Sequence, residues 1–509
     1  MAIRISGLNS GLDTDSIVQE LVSAYSTQKD DMVKKQTKLS WTQDAWKDMN
    51  TKIYSFYSKS LSDFKFMSNF SGMKKTTLSD ETKASVTAGT GVVNGTQTLK
   101  VNRLATAAYL TGKKLESEDE AYKSSTKLSQ LGITDSSIKV KIGNEEKTVE
   151  VSGDMTIGDF TKALGEQGLK ASFDETQQRF FINSGQSGKE HDFEFVVDSE
   201  KSFAMLDKLG LATAQDAEKY VSGEIDKKAY AAKQDASNAI IELNGATFEG
   251  SSNTFNINGL TITAKGVSES TMSLVTETDV DGIYDKIKGF IKEYNELIKS
   301  MDEAYNAESS KGYEPLTDDE KDSMSDAEVE KWEKKIKDSL LRRDSTLNSV
   351  ASAMKTAMSK SYTINGKTYS LSSFGINTQG YFVAADNEKS VYHIDGNADD
   401  DATKSNADKL KAAIASDPDT VASFFNQLAK DMYGELDKRM KTTTLSSAYK
   451  VYNDKQLQSE YDSYTEQIKK WEEKVSSMEE YYYDKFSAME TALSKLNSQQ
   501  SQLSGLLGM

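Results

Sequence analysis

Apolar residues recur in alternating steps of three and four near the end of this chain. The ladder is Tyr461, Tyr464, Ile468, Trp471, Val475, Met478, Tyr482, Lys485, Met489, Ala492, Leu496, Gln499 and Leu503, broken only by Lys485 and Gln499. A repeat of about 3.5 residues marks a helix whose narrow stripe faces a second helix. Continuous helix over those ~43 residues would run ~65 Å. A weaker ladder runs through Met32, Leu39, Trp46, Met49, Ile53 and Phe56 near the other end. Asp13-Thr14-Asp15-Ser16 offers N-cap oxygens and negative charge to the positive end of that helix. The helix is expected to continue through Ile17, Leu21 and Tyr25 to about Met67, with Gly72 at its end.

Between the ends the period changes. Gln97-Thr98-Leu99-Lys100-Val101 alternates as a half-buried strand does. Lys139–Ile142 and Thr148–Val151 read as a hairpin about Gly143-Asn144, Thr156–Leu164 as a short helix, and Ala171–Phe173 with Phe180–Ile182 as a second hairpin. The run from Ala212 to Ser237 is rich in Ala, Lys and Asp and reads as a linker or weak helix. Strands resume at Ile240–Leu243, Thr254–Ile257, Leu260–Ala264 and Met272–Val275. A third long helix carries Val280, Ile283, Ile287, Phe290, Tyr294, Leu297 and Met301 on one stripe. Thr317 with Glu320 and Ser325 with Glu328 have capping-box spacing, Asn365-Gly366 marks a type I′ hairpin, and Asp417-Pro418 supplies an N-cap with an N1 proline.

These elements predict an α+β multidomain chain. Its long N- and C-terminal helices pair as a coiled coil, with a helical middle domain and β-rich head domains inserted between them. The expected divisions are 1–72 for a flexible start and coiled-coil helix, 73–107 and 238–278 for two β segments of the head, and 108–237 for an inserted α+β outer domain. Residues 279–430 form the helical domain with a β-hairpin, and 431–509 the C-terminal coiled-coil helix.

Composition narrows the partners. With 509 residues there is length for several cores, and 62 Lys plus Arg against 79 Asp plus Glu give a net charge of −17. Binding to a phosphate backbone needs basic stripes, and an anionic membrane repels such a chain, so neither nucleic acid nor membrane insertion is expected. No stretch approaches the ~20 apolar residues of a membrane span. The first residues lack the apolar core of a Sec-type signal peptide. Cysteine is absent and there are only two prolines, so disulfides are excluded and long helices favoured.

Catalytic chemistry finds little support. His191 and His393 are the only histidines, and neither has metal-ligand spacing or a nucleophile elbow nearby. Gly366-Lys367-Thr368 lacks the first glycine of a P-loop, since position 361 is Ser. Asp395-Gly396-Asn397-Ala398-Asp399-Asp400-Asp401 hints at a calcium loop, but Asp400 stands where glycine is required and Asn406 where glutamate is. No catalytic residue, cofactor or metal is expected.

Ile5-Ser6-Gly7-Leu8-Asn9-Ser10-Gly11-Leu12-Asp13-Thr14-Asp15-Ser16-Ile17-Val18 resembles the N-terminal signature of the bacterial flagellar filament cap proteins, the hook-associated protein 2 (FliD) family. Gln97–Ala105, Asn253–Thr263 and Phe290–Ile298 resemble further family segments in the same order. So does the block running from Pro315-Leu316-Thr317 through Trp332-Glu333 to Leu340-Leu341-Arg342-Arg343-Asp344. The likeness covers roughly residues 1–107 and 238–509. It implies a secreted, motility-related protein of the flagellum: a closed ring of copies, often five, at the distal filament tip, retaining flagellin and promoting its polymerisation. It further implies export by the flagellar apparatus with a cytoplasmic chaperone, and terminal helices that act as legs. The leg interface would then use Leu8, Leu12, Ile17, Leu21, Leu39, Trp46 and Ile53 on one arm. On the other it would use Tyr461, Ile468, Trp471, Val475, Met478, Tyr482, Leu496 and Leu503. Alternative readings are a flagellin-like filament or junction protein, and a surface adhesin through residues 108–237. Flagellin's Asn-rich N-terminus and Leu-Leu-type C-terminal motif differ from the ends of this sequence, the last residues being Leu506-Leu507-Gly508-Met509, and a wall hydrolase finds no residues to use.

Overall fold

The computed structural model describes residues 10–66, 72–89, 91–117, 120–380 and 382–507, with side chains to 503. They form two units: Gly72–Asp279, and the chain on either side of it.

In the first unit β1 (Lys74–Leu78), β2 (Ala84–Ala88) and β3 (Gly95–Arg103) open one lobe. A second lobe follows with β4 (Ala107–Thr111), β5 (Ser136–Ile142), β6 (Glu145–Val151), β7 (Lys170–Asp174), β8 (Arg179–Ser187), β9 (Phe193–Phe195) and β10 (Ala232–Gln234). The chain then returns through β11 (Ala239–Leu243), β12 (Ala246–Gly250), β13 (Thr254–Ile257), β14 (Leu260–Ala264) and β15 (Met272–Thr278). The first lobe is built of antiparallel sheets ordered β1-β15-β3-β11-β12 and β13-β14-β2, which share a core of Leu99, Val101, Ile241, Ile262 and Leu274. Alternation places Leu99 and Val101 inward on β3 while their neighbours face out.

The second lobe has its own core between sheets β10-β4-β8-β7 and β6-β5-β9. Helix Ile157–Glu166 lays Ile157, Phe160 and Leu164 into it, and Phe160 meets Phe180 edge-on at 5.8 Å. Thr156 and Asp159 cap that helix reciprocally. The two-residue turn between β5 and β6 requires Gly143, which sits at φ +55° and whose Cβ would lie 2.3 Å from the Glu190 carbonyl oxygen.

Residues 212–237 are not a linker. They form helix Ala214–Tyr220 and β10, and they bury Ala217, Ala231 and Ala236. Alanines do the burying, so hydropathy carried no signal. Strand β12 also went unassigned, although Asn244-Gly245 before it has both residues at positive φ, 52° and 80°, as a type I′ turn demands.

The second unit is helical. Its long members are α1 (Thr14–Ser55), α2 (Val280–Asn306), α3 (Ser345–Met358), α4 (Pro418–Arg439) and α5 (Asp454–Leu507). Asp13 caps α1 by accepting from the Ser16 amide at 3.1 Å. Past Ser55 the helix runs on through a wide π turn, Phe56–Leu61, and then Ser62–Phe64. The α2 stripe Ile283, Ile287, Phe290, Tyr294, Leu297 and Met301 is buried, as are Phe424, Phe425, Leu428 and Met432 of α4.

Several motif residues have structural work. Asp344 caps α3 through the Thr346 and Leu347 amides at 2.8 and 2.9 Å, while Arg343 takes φ +56° and lies over the Tyr305 ring. Asn295 clamps the backbone of Tyr392 with bonds of 2.7 and 2.8 Å. Helix α3 and the short helix Lys409–Ser416 were not anticipated, and both begin at aspartate caps. The expected boundary at 430/431 is corrected: it falls inside α4. The connection from α4 to α5 buries Met440, Val451 and Tyr452, and the terminal helix starts only at Asp454.

Thr106 and Ser237 exchange backbone hydrogen bonds of 3.0 and 3.1 Å at the neck of the second lobe. Joining Thr106 directly to Ser237 should therefore leave the remaining β core folded. Calorimetry and near-ultraviolet dichroism of the shortened chain should show a cooperative transition; loss of that transition would mean that the two cores fold only together.

Candidate functional site: the paired terminal helices

Helices α1 and α5 run antiparallel in a constant register. Ser10 binds the Glu490 carboxylate, and Tyr483 donates to Asp15 at 2.9 Å. Lys474 lies 5.9 Å over the Tyr25 ring, and Gln36 donates to Thr465 at 2.6 Å. Trp46 stacks on Tyr452 with ring centres 5.2 Å apart and planes 9° from parallel. Beside it Asn50, itself buried, donates to the Tyr449 carbonyl at 3.2 Å and accepts from the Val451 amide at 2.9 Å.

Full burial on α1 occurs at two places, at that base and at Thr14, Val18 and Val22 near its start. Trp46, Met49, Ile53, Phe56 and Leu61 are fully enclosed by the helical unit, where Phe56 and Phe64 meet Phe290 at 5.6 and 4.7 Å. Tyr57 stacks on Tyr433 at 4.3 Å and donates to Asp437 at 2.9 Å. Burial and these two partners push its phenol well above the usual tyrosine range. Farther along, α1 and α5 have chiefly each other. On α5 Tyr461, Ile468, Trp471, Val475, Met478 and Tyr482 are all half-buried, as is Leu39 on α1. Leu496 and Leu503 are 61% and 58% exposed.

The expected interface residues therefore divide into groups. Leu8 lies outside the described residues. Trp46 and Ile53 are corrected: they are buried within their own chain and offer nothing to a partner. Leu12 and Leu21 are exposed and Ile17 is half-buried, because α1 turns Thr14, Val18 and Val22 inward instead. That face was legible as a Thr14-Val18-Val22-Tyr25 ladder. The C-terminal stripe also shifts past Tyr482: Lys485 is exposed while Phe486 and Leu493 are half-buried. An unsupercoiled helix turns every 3.6 residues and drifts off a strict heptad by ~20° per repeat. Glu490, a buried carboxylate, had no hydrophobic signature at all.

The remaining candidates for chemistry are engaged in structure. His393 Nδ1 pairs with Asp400 at 2.7 Å, Asp401 with Lys404 at 2.6 Å, and Asp395 accepts from Asn406 at 2.7 Å. Asp399 pairs with Lys288, whose ammonium holds its carboxyl below the ordinary value. The hinted calcium loop is thus held by local cations and amides. Among the described residues no group of three or more potential ligands could hold a metal ion, and no helix is long and apolar enough to cross a membrane.

The chain thus combines a half-covered pair of terminal helices in a helical unit with a two-lobed β unit inserted between them in sequence. Sequence profiles for the flagellar hook-associated protein 2 N-terminus and C-terminus match residues 10–108 and 236–498. The chain belongs to the flagellar hook-associated protein 2 family, whose members are structural proteins of the flagellum. It is 23% identical to flagellar hook-associated protein 2 of Halalkalibacterium halodurans over 98% of this chain and 99% of that one. With the Thermotoga maritima protein it shares 24% identity over 72% of this chain and 54% of the other. Among solved structures, the flagellar cap protein D1-D2-D3 domains from Escherichia coli align with TM-score 0.49 and 17% identity, over 78% of this chain and 97% of that one.

Two predictions concern the base of the pair. Asn50→Ala leaves the buried Val451 amide and the partly buried Tyr449 carbonyl without this partner, at a cost of about 1–3 kcal/mol; chemical denaturation should show it, and an unchanged midpoint would mean that the clamp does not stabilise the fold. The second involves Lys34, which donates to Glu320 at 2.8 Å and ties α1 to the Thr317 cap. Lys34 and then the Thr317 amide hold Glu320 below the usual glutamate value. The contribution is therefore full above that usual value and is lost as pH falls through the depressed one. Lys34→Met should cost less than ~1 kcal/mol near neutral pH, because Glu320 is largely exposed, and the difference should vanish in acid. A gap that widens on acidification would contradict it.

Proposed function

We propose that the chain caps the distal end of the flagellar filament. Copies of it form a closed ring, with five as the expected number; the ring retains exported flagellin and promotes its polymerisation. The paired helices serve as legs and the β unit as the head, and the chain reaches the tip through the flagellar export apparatus with a cytoplasmic chaperone. Family membership supports the site of action. The observation that carries the assembly is the α5 stripe Tyr461, Tyr464, Ile468, Trp471, Val475, Met478, Tyr482 and Met489, each half-buried. Such a stripe gains about 25 cal/mol for each Å² it removes from water. Further helices beside it would complete the enclosure, and closed symmetric assemblies are the usual means of supplying them.

A strain lacking the gene should shed monomeric flagellin into the medium and carry no filaments under electron microscopy. Normal filaments would overturn the capping role. In the same strain, a chain carrying Leu496→Asp and Leu503→Asp should be exported yet restore few or short filaments. Full rescue would show that the exposed end of α5 contacts nothing. Light scattering of the purified protein should report a ring at high micromolar concentration, against a strictly monomeric mass.

A further inference from the structure

Five cations converge on one cleft of the second lobe. Lys113 and Lys114 follow β4, Arg179 begins β8, Lys208 ends helix Glu200–Lys208, and Lys228 lies in the turn Lys227–Ala229. The cleft measures about 560 Å³, with Leu115 and Leu131 on its walls beside Tyr122. Gly210 lets the two cation-bearing segments close on each other. It sits at φ +67°, and a Cβ there would stand 2.9 Å from both the Lys113 carbonyl oxygen and Leu115 Cδ2.

Among the described lining residues, two carboxylates face these five cations. Asp207 neutralises Lys113 at 2.6 Å, and Glu116 is the other carboxylate on the wall. Arg179 donates to the Gly112 carbonyl at 2.7 Å and Lys208 to the Gly132 carbonyl at 2.8 Å, so neutral acceptors fix both groups. Among the described residues, Lys114 and Lys228 likewise have no carboxylate partner. In a chain with 79 acidic and 62 basic side chains, random placement would strand acids, not bases. Cations gathered in a concave wall with apolar patches raise one another's potential and concentrate anions.

We propose that this cleft binds a compact polyanion, a short ligand bearing clustered phosphate or sulfate groups. Its volume lies within the range of small-molecule sites, roughly 300–1,000 Å³. Lysine ammoniums on flexible stems supply adaptable point charges and Arg179 a fixed fork. A long nucleic acid is disfavoured, because it would have to cross the acidic surface beyond the cleft.

The test uses the full chain, titrated calorimetrically at low salt with tripolyphosphate and, separately, a sulfated disaccharide. Lys114→Glu with Lys228→Glu reverses two ammoniums that make no hydrogen bond, and should weaken binding at least about ten-fold. Lys162→Glu with Lys219→Glu, the same charge change elsewhere on the lobe, should bind as the parent does. The tighter of the two ligands identifies phosphate or sulfate as the natural group. Amine-reactive footprinting of the unaltered protein gives a readout independent of folding in the variants: the ligand should protect Lys114, Lys208 and Lys228 selectively. No binding below about 1 mM, equal weakening in both double variants, or protection spread over the surface lysines would each overturn the site.

Discussion

The helical half of this protein depends on how far its antiparallel helix pair, α1 and α5, covers its own apolar seam, and along most of α5 that cover is partial. At the base, Trp46, Ile53 and Phe56 find walls on every side, because α2 and α4 complete their surroundings. Beyond the base the α5 residues Tyr461, Ile468, Trp471, Val475, Met478, Tyr482 and Met489 stop at half burial, although Thr14, Val18 and Val22 of α1 are buried. The stacked Trp46–Tyr452 rings and the Asn50 clamp fix where enclosure ends and the open pair begins. Register along the pair is held by polar contacts, Gln36 to Thr465 and Tyr483 to Asp15, since a half-buried seam alone selects register weakly.

Charge divides the work differently. A net charge of −17 keeps separate copies soluble and makes indiscriminate association costly. Against that background an apolar stripe can be used for self-association without general stickiness, and a cluster of unpaired cations stands out as a local exception. The β unit keeps two independent cores joined at the Thr106–Ser237 neck, so the outer lobe can carry its own surface chemistry while the inner lobe retains its sheets.

Much of this was legible in the sequence wherever a local rule coincided with the tertiary answer. The capping boxes at Thr317 and Ser325, the Asn365-Gly366 turn and the Asp417-Pro418 start are fixed by backbone hydrogen bonding within a few residues. The α2 stripe was readable because one wide face of that helix is buried. What failed was exclusive reliance on large apolar residues. Ala217, Ala231 and Ala236 build the neck of the outer lobe, Thr14 and Glu490 take inward positions on the legs, and the strict heptad misplaced the stripe beyond Tyr482. Burial of Trp46 and Phe56 within the chain involves Tyr452 and Phe290, each more than two hundred residues away, which no local pattern reports.

The central claim is that the open seam closes when copies of the chain assemble. Hydroxyl-radical footprinting across a concentration series tests it directly, because side-chain oxidation reads solvent access at single residues. Trp471, Met478 and Met489 should lose reactivity in step with the assembled fraction, while Trp46 stays protected at every concentration. Undiminished oxidation of Trp471 and both methionines in the assembled protein would contradict the account.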